Sequence, residues 1–418
     1  MRKHCRNRHP HQHADETVEG TSHILVRSMR WRYKDTVLAL CTLAFFATMV
    51  ARLAISPVVP DIVADFDVSN TVIGIALTGL WMSYFLAQFP SGVLADRFGE
   101  RSIILVAVGG TAVSSVLIAL SPFFGLFVLS TILLGLTAGL HYSVATALLS
   151  RTYDDIGTAI GLHSFGGPLA GLIAPVMVAW IAVAYGWRPA VAVGAAVAVP
   201  VFIVFAWRVR PTEPRRPAQP MTDQFELSAV RELLGRPPIT FTVALAVACE
   251  FVWQATASFL PAFLIGHHGL STTLAATLFG TYFIVHGVVQ IGVGRVSDRF
   301  GRDPATVGCM LFGLAGYSTL VLAASLPVLI VGILLTAVGM SWVSAVLPRF
   351  IDHLSVAERG SGFGLVRTVY GMLGAMGSVG VGFFADVFDW GVSFGLLLVP
   401  LTFVLCALVA NYVFEWGY

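Results

Sequence analysis

Long stretches of apolar residues recur along the chain from residue 36 to residue 414, separated by short polar segments. Each stretch is continuous rather than alternating, which favours membrane-spanning helices over barrel strands. A helix needs about 20 apolar residues to cross the hydrocarbon core of a bilayer. The pattern predicts twelve spans, at residues 36–57, 71–94, 102–121, 123–149, 157–184, 188–207, 238–264, 273–293, 304–324, 327–347, 361–384 and 392–414.

The basic residues orient these spans. With the N-terminus inside, 22 of the 25 lysines and arginines fall in cytoplasmic segments, and only Arg188 falls in an external loop. Arg52 and Arg367 lie within spans. Cytoplasmic loops of membrane proteins carry the excess of positive charge. We therefore predict a multi-pass protein of a prokaryotic-type inner or plasma membrane, with both termini in the cytoplasm.

Composition excludes several classes of protein. Of 418 residues, 56% are apolar and 11% are charged, whereas roughly 25% of residues are charged in soluble domains. The two lysines, Lys3 and Lys34, both precede the first span, so the folded part has no lysine for a phosphate-binding loop or a Schiff base. No CxxC pair is present. We expect no cofactor, no metal site, no nucleic-acid partner and no enzymatic activity, and nothing in the sequence requires more than a monomer.

Two polar segments flank and divide the spans. Residues 1–35 are basic and rich in histidine, which predicts a disordered cytoplasmic tail beside anionic lipid. A tail that binds a metal ion is the alternative. A further hypothesis is that translation starts at Met29. Residues 209–237 contain five prolines and predict a cytoplasmic linker. The linker separates six-helix bundles at 36–208 and 238–414, and residues 415–418 form a short cytoplasmic end.

The two sets of six spans resemble each other at a nearly constant offset. At 202 residues, the identical pairs are Ser69, Gln88, Gly92, Asp96, Arg97, Phe98 and Gly99 with Ser271, Gln290, Gly294, Asp298, Arg299, Phe300 and Gly301. At 203 residues, they are Gly157, Gly161, Leu162, Gly171 and Trp187 with Gly360, Gly364, Leu365, Gly374 and Trp390. Both sets have the same orientation, so the repeat is parallel.

The loop after span 2 reads Gly92-Val-Leu-Ala-Asp96-Arg97-Phe-Gly99-Glu-Arg101, and a degenerate copy with Gly294, Asp298 and Arg299 follows span 8. This pattern is similar to the signature of the major facilitator superfamily, and the resemblance covers residues 36–414. It implies an all-α membrane fold of twelve helices in two six-helix bundles. It also implies that these loops form a cytoplasmic latch between the halves when the site faces outward. The alternative is that Asp96 and Arg97 are simply charges that set topology.

Three charged residues lie inside spans: Arg52, Glu250 and Arg367. A charge that faces lipid at the bilayer centre costs roughly 2.5–3.5 kcal/mol. All three must therefore face protein or water. The family resemblance implies that spans 1, 4, 7 and 10 line a central cavity, and that spans 2, 5, 8 and 11 form the interface between halves. Arg52 and Glu250 then belong to cavity-lining spans.

Glu250 is the carboxylate nearest the middle of a span, and Trp253 and Gln254 share its helical face. Burial disfavours the ionised form of a carboxyl group, so Glu250 is a candidate for binding the coupling proton. A permanent Glu250–Arg52 ion pair is the alternative. Arg367 either attracts an anionic substrate or caps polar groups between spans 5 and 11.

Histidines and aromatic residues complete the candidate site. His141 and His286 are candidates for contact with substrate or proton, against the alternative of buried hydrogen-bonding groups. Tyr142, Trp253 and Trp342 are candidates for an aromatic cavity wall, against ordinary packing between helices.

These features predict a secondary active transporter that moves a small organic solute by alternating access. Gly167-Pro168-Leu-Ala-Gly171 in span 5 resembles part of an antiporter motif of the superfamily, which favours proton-coupled export. Uptake of an organic anion, with Arg52 and Arg367 as charge partners, is the alternative. A membrane sensor on the same scaffold is a third hypothesis. The expected partners are a small-molecule substrate, a proton or other coupling ion, and the lipid bilayer.

Overall fold

The structure is a computed structural model that describes residues 32–217, 227–355 and 361–418. The histidine-rich part of the predicted tail, Met29, residues 218–226 of the predicted linker, and Gly360 lie outside the described residues. The described chain contains twelve helical segments that are long and apolar enough to cross a membrane. The all-helical prediction is therefore confirmed.

The spans have the following bounds. Spans 1 to 6, the N-terminal half, are Tyr33–Phe66, Asn70–Phe98, Glu100–Ala119, Phe124–Thr152, Ile156–Tyr185 and Trp187–Arg208. Spans 7 to 12, the C-terminal half, are Pro237–Gly266, Thr272–Phe300, Arg302–Leu322, Leu326–Asp352, Gly362–Val387 and Trp390–Val413. A further short helix, Leu227–Leu234, lies in the segment that was predicted only as a proline-rich linker.

Several spans are interrupted rather than continuous. Span 1 consists of Tyr33–Leu53, a 3-10 turn at Ser56–Val58, and Val59–Phe66, so it is longer than the predicted 36–57. Pro57 and Pro60 stand at the starts of the second and third pieces, where the missing proline N–H removes no helical hydrogen bond. Spans 4, 5, 6, 10, 11 and 12 are also interrupted. Their pieces are, in that order, Phe124–Gly139 and His141–Thr152; Ile156–Ser164 and Gly166–Tyr185; Trp187–Val191 and Val193–Arg208; Leu326–Gly339, Met340–Trp342 and Val343–Asp352; Ser361–Gly374 and Met376–Val387; and Trp390–Gly395 and Leu398–Val413.

An even number of spans places the start of span 1 and the end of span 12 on one side of the bundle, which we call the terminal side. The opposite side is the far side. Spans 2 and 11 meet across the halves at small residues. A Cβ added to Gly382 would lie 2.2 Å from the carbonyl oxygen of Asn70, and one added to Gly74 would lie 2.9 Å from that of Ser378. Glycine at these positions therefore allows the two backbones to approach closely.

The halves are joined on the far side by hydrogen bonds between spans 2 and 11. Asp386, near the end of span 11, accepts from the backbone N–H of Asn70 at 3.0 Å and of Thr71 at 2.6 Å, and from their side chains at 2.8 and 2.6 Å. A carboxylate at a helix N-terminus satisfies free N–H groups and interacts favourably with the helix dipole. We call this set the far-side junction, because a residue of one half caps a helix of the other.

On the terminal side, each signature loop makes its described contacts without crossing to the other half. Asp96 lies 3.8 Å from Arg215, and its carbonyl accepts from the N–H of Arg216 at 2.9 Å. Both arginines belong to the segment that connects the halves. In the second loop, Asp298 pairs with Arg302. Among the described residues, the halves are therefore joined on the far side, and the carboxylates of Asp96 and Asp298 have no ion pair across the terminal side.

The other signature residues shape the first loop. Gly99 has a positive φ of 82°, and a Cβ there would lie 2.4 Å from the carbonyl oxygen of Thr212. Arg101 donates to the carbonyls of Val209 at 2.8 Å and Ala206 at 2.6 Å. Arg97 and Arg299 each lie over the phenylalanine that follows them. Gly92 has open space beside it, whereas a Cβ at Gly294 would lie 3.9 Å from Cβ of Ser344.

We expect Asp386→Asn to weaken the far-side junction. The amide nitrogen of asparagine would face N–H and O–H donors where a carboxylate oxygen now accepts their hydrogen bonds. A cysteine at Thr78, which contacts span 11 below the junction through the carbonyl of Ala375, should then react faster with a membrane-impermeant maleimide from the far side. Asp389→Asn is the control, because Asp389 caps only its own helix at Val392. Equal labelling rates in the two variants would contradict this role.

Candidate functional site

A cavity of about 220 Å³ lies between the two halves. The N-terminal half contributes Phe45, Met49, Arg52, Trp81, Tyr84, Phe85, Tyr142, Ser164, Gly167 and Pro168. The C-terminal half contributes Glu250, Trp253, Gln254, Phe283, His286, Gln290, Val343, Leu347, Arg367 and Tyr370. The volume lies below the roughly 300–1,000 Å³ of drug-sized ligand pockets, so it suits a small solute.

Arg52 is buried in the wall of this cavity, with 3% of its surface exposed. Its Nε donates to the carbonyl of Thr48 at 3.1 Å, one turn earlier in the same helix. Its guanidinium lies 4.0 Å from the ring centre of Tyr84 and 5.3 Å from that of Trp81. A guanidinium against aromatic faces is stabilised by about 0.5–2 kcal/mol. Aromatic rings of span 2 thus hold this cation in place without a carboxylate.

Glu250 faces the same cavity from span 7 and is 6% exposed. Its Oε1 accepts a hydrogen bond from Gln254 Nε2 at 2.6 Å, one turn along the helix. Among the residues that the structure describes, Glu250 makes no ion pair, so the alternative of a Glu250–Arg52 pair is absent from this conformation. Gly374 of span 11 lies against Glu250, and a Cβ there would stand 2.6 Å from both Cβ and Cγ of the glutamate.

Arg367 enters the cavity from span 11. Its guanidinium lies 5.1 Å from the ring centre of Tyr142, and its Nε is shielded from solvent and has no hydrogen-bond partner among the described residues. Across from it, the hydroxyls of Tyr142 and Ser164 are 3.1 Å apart. Arg367 also interacts electrostatically with Glu250. The cavity therefore holds two fixed cations, one from each half, and one carboxyl group.

His286 and Gln290 of span 8 form a polar strip on the C-terminal half. Gln290 Nε2 lies 2.8 Å from His286 Nε2, and both residues line the cavity. Tyr282, one turn earlier, stacks on His286 but is buried away from the cavity. The strip therefore adds hydrogen-bonding groups to the cavity wall beside the charged side chains.

Six of the seven predicted substrate or coupling residues line this cavity: Arg52, Glu250, Trp253, Gln254, His286 and Arg367. His141 does not line it. His141 is fully buried behind the wall, stacked on Phe45 and 5.5 Å from the ring of His163. Trp342, a candidate for the aromatic wall, is likewise buried away from the cavity.

Sequence reasoning missed several aromatic wall residues, among them Trp81 and Tyr84. The internal repeat contains a signal that could have found them. At the offset of 202 residues, Trp81 corresponds to Phe283 and Tyr84 corresponds to His286, and all four line the cavity.

A family model described as the Major Facilitator Superfamily matches residues 41–280 and 249–415. The chain belongs to this superfamily. It is an integral, multi-pass membrane transporter of the secondary type and not an enzyme.

Curated relatives have different stated roles. The hexuronate transporter of Bacillus subtilis (strain 168) is 25% identical over 84% of this chain and 88% of its own length. The multidrug resistance protein B homolog of Mycobacterium tuberculosis (strain CDC 1551 / Oshkosh) is 24% identical over 80% of this chain and 68% of its own length. The membrane sensor protein UhpC of Escherichia coli (strain K12) is 26% identical over 43% of this chain and 42% of its own length. These relatives support transport without assigning a direction or a coupling ion.

Solved structures show the same fold. A bacterial homolog of the human lysosomal transporter Spinster, in an inward-facing unoccupied conformation, has a TM-score of 0.73 at 18% identity, covering 91% of this chain and 94% of that one. The nucleoside transporter NupG (D323A mutant) has a TM-score of 0.76 at 14% identity, covering 91% and 99%. At these identities the likeness concerns the fold alone.

We expect Gly374→Ala to destabilise the protein through its contact with Glu250. The added methyl group must push the glutamate or separate spans 7 and 11, and overpacking of this kind costs about 1–3 kcal/mol. The apparent unfolding temperature in detergent should fall. Gly308→Ala, in a helix position with no neighbour within 4 Å, should leave it unchanged or raise it slightly, because alanine has the higher helix propensity. The same unfolding temperature in both variants would refute the close packing described here.

Proposed function

We propose that this protein transports a small organic anion, together with a proton, through the cavity between its two halves. The observation that supports this most directly is the charge balance of the cavity. Arg52 and Arg367 supply two positive charges, and Glu250 is not ion-paired with either. Fixed cations in a small, partly desolvated pocket attract an anion more strongly than they would in water.

The rest of the lining suits a compact organic solute. Trp81 and Trp253 approach edge to face, 5.6 Å apart, and provide apolar surface. Gln254 and the polar strip of His286 and Gln290 provide hydrogen-bonding groups for hydroxyls. A sugar acid combines one carboxylate, several hydroxyls and a small apolar ring, and the similarity to the hexuronate transporter of B. subtilis supports this class.

Glu250 is the group that we propose binds the proton. When it is ionised, its negative charge offsets part of the field of Arg367, with which it interacts electrostatically. Protonation removes that charge and leaves the cavity more positive, which favours an anion. By linkage, a bound anion must favour protonation of Glu250 to the same extent. Anion and proton therefore bind together, which is the arrangement of a symporter.

The direction of transport follows from this coupling. In a plasma membrane with the terminal side in the cytoplasm, as the distribution of basic residues predicts, the inward proton gradient drives uptake. The cavity opens alternately to the far side, where anion and proton bind, and to the terminal side, where they are released, which is alternating access. A single chain contains all the proposed groups, so we propose that the monomer suffices.

Export of organic solutes by proton exchange is a second candidate function. The similarity to the mycobacterial multidrug resistance protein B homolog favours it, as does the partial antiporter motif at Gly167 and Pro168, both of which line the cavity. An exporter of cations would use Glu250 as the counter-charge. The charge of the transported solute therefore separates the two functions.

Reconstituted vesicles test the proposal. The full chain is exposed to labelled glucuronate, gluconate, lactate and benzoate, to neutral glucose, and to tetraphenylphosphonium, with and without an alkaline interior. Accumulation of an anion only when the interior is alkaline supports the proposal. Proton-driven extrusion of tetraphenylphosphonium supports the second function instead. Binding of solutes without flux would indicate a sensor.

We expect Glu250→Gln to abolish anion accumulation driven by a pH gradient while preserving anion exchange across vesicles without a gradient. Glutamine keeps the shape of the side chain and can still accept from Gln254, but it cannot bind a proton. Flux of the anion is measured in both modes. Asp61→Asn, an exposed carboxylate near the far end of span 1, is the control and should behave as wild type. Full gradient-driven accumulation by Glu250→Gln would exclude Glu250 as the coupling group.

A further inference from the structure

The two arginines of the cavity are not engaged to the same degree. Arg52 donates from Nε to the carbonyl of Thr48 and from Nη2 to the sulfur of Met49 at 2.8 Å, and its face is covered by Tyr84. Arg367 instead has a shielded Nε with no hydrogen-bond partner in the part of the chain that the structure describes. A buried donor without a hydrogen bond costs about 1–3 kcal/mol. Arg52 forms hydrogen bonds with its own surroundings, whereas Arg367, which lines the cavity, makes no hydrogen bond among the residues that the structure describes, so its guanidinium can take an acceptor from a ligand.

The groups opposite Arg367 are also donors. Tyr142 and Ser164 are 3.1 Å apart through their hydroxyl oxygens, and both residues line the cavity. One hydroxyl donates to the other, and the proton of the second remains available to a third group. The Tyr142 ring lies under the guanidinium of Arg367 at 5.1 Å. A guanidinium and a free hydroxyl proton therefore face the same small space.

These donors belong to different halves. Arg367 is in span 11 of the C-terminal half, while Tyr142 and Ser164 are in spans 4 and 5 of the N-terminal half. Under the repeat offset of 203 residues, Arg367 occupies the position that Ser164 occupies in the first half. Equivalent positions of the two repeats thus carry a hydroxyl in the N-terminal half, at Ser164, and a cation in the C-terminal half, at Arg367.

We propose that Arg367, Tyr142 and Ser164 form the subsite for the carboxylate of the substrate, and that a carboxylate bound there draws the two halves together on the terminal side. This inference rests on the proposed transport of an organic anion and specifies which cation contacts it. A carboxylate has two oxygens and accepts from several donors at once, so it can bridge Arg367 and the hydroxyl pair. Arg52 contributes to the field of the cavity without being the contact.

The bridge explains how substrate could trigger closure. In this conformation the halves are joined at the far-side junction, and within residues 32–217, 227–355 and 361–418 no ion pair or hydrogen bond links the signature loops of the two halves across the terminal side. A ligand that binds one half equally well in both conformations shifts nothing. A carboxylate held by both halves binds the closed arrangement better and therefore favours it. A neutral solute of the same shape lacks the acceptor charge and should not close the protein.

The first test measures binding by the purified full chain. Gluconate, glucuronate, lactate and benzoate are the probes, and sorbitol, glucose and benzamide are the neutral counterparts. We expect Arg367→Ser to weaken carboxylate binding about 10–100-fold, the loss of one charge-assisted hydrogen bond. Tyr142→Phe and Ser164→Ala, which keep the packing, should each weaken it by a smaller factor. Ser143→Ala, next to Tyr142 but lining a separate pocket, is the control and should bind as wild type.

A swap of the repeat-related residues tests position rather than charge alone. Arg367→Ser combined with Ser164→Arg moves the guanidinium to the opposite wall of the same cavity. We expect this double variant to recover carboxylate binding relative to Arg367→Ser. Failure to recover, in a double variant that unfolds at the wild-type temperature, would overturn the bridging arrangement.

The second test measures closure directly. Spin labels are placed at Ile156→Cys and Phe300→Cys, the terminal-side ends of spans 5 and 8, with Cys5 and Cys406 replaced by serine. We expect the carboxylate probes to shorten the distance between the labels and the neutral counterparts to leave it unchanged. Loss of this shortening in Ser164→Ala would support a bridge across the halves. Unchanged shortening in Arg367→Ser would overturn it.

The outcomes separate this inference from the proposed function. If wild type binds the carboxylates and Arg52→Gln abolishes binding while Arg367→Ser does not, the subsite is wrong and anion transport stands. If wild type binds none of the four carboxylates, both fail. If Arg367→Ser weakens sorbitol and benzamide as much as the carboxylates, the role of Arg367 is structural and the subsite is refuted.

Discussion

The structure depends on one constraint, which is that a charged side chain at the depth of a bilayer cannot face acyl chains. Arg52, Glu250 and Arg367 would together cost roughly 8–10 kcal/mol in that position, at about 2.5–3.5 kcal/mol each. All three line a single cavity between the halves instead. Spans 1, 7 and 11 carry these residues and must turn their charged faces toward one another. This requirement also restricts where the remaining spans can pack.

The internal repeat produces a symmetric scaffold with asymmetric chemistry. Equivalent positions in the two halves occupy equivalent places around the cavity, yet Tyr84 corresponds to His286 and Ser164 corresponds to Arg367. Shared backbone geometry comes from shared glycines and apolar periodicity. The charged side chains of the cavity, Arg52, Glu250 and Arg367, stand at positions at which the two copies differ.

Motion of the halves requires interfaces that are close yet separable. Between spans 2 and 11, glycines bring backbones into contact, and the only strong polar link described there at the far end is the cap that Asp386 places on the first turn of span 2. Hydrogen bonds of this kind contribute only about 1 kcal/mol each net, since water replaces them when they break. A bound solute can therefore offset their loss.

The sequence by itself determined the properties that depend on one helix or on one charged residue at a time. Continuous apolar runs predicted twelve spans, the signature after span 2 indicated the superfamily, and the cost of buried charge indicated that Arg52, Glu250 and Arg367 face inward. Only the tertiary structure decided the partners. It separated Glu250 from Arg52, placed the ring of Tyr84 against that arginine, and buried His141 behind the cavity wall. Within the described residues, it also left the Nε of Arg367 without a hydrogen-bond partner. The helical period shows which residues share one face of a span. The rotation and depth of neighbouring spans depend instead on packing contacts between residues far apart in the chain, such as Gly374 with Glu250. No local sequence pattern specifies these contacts.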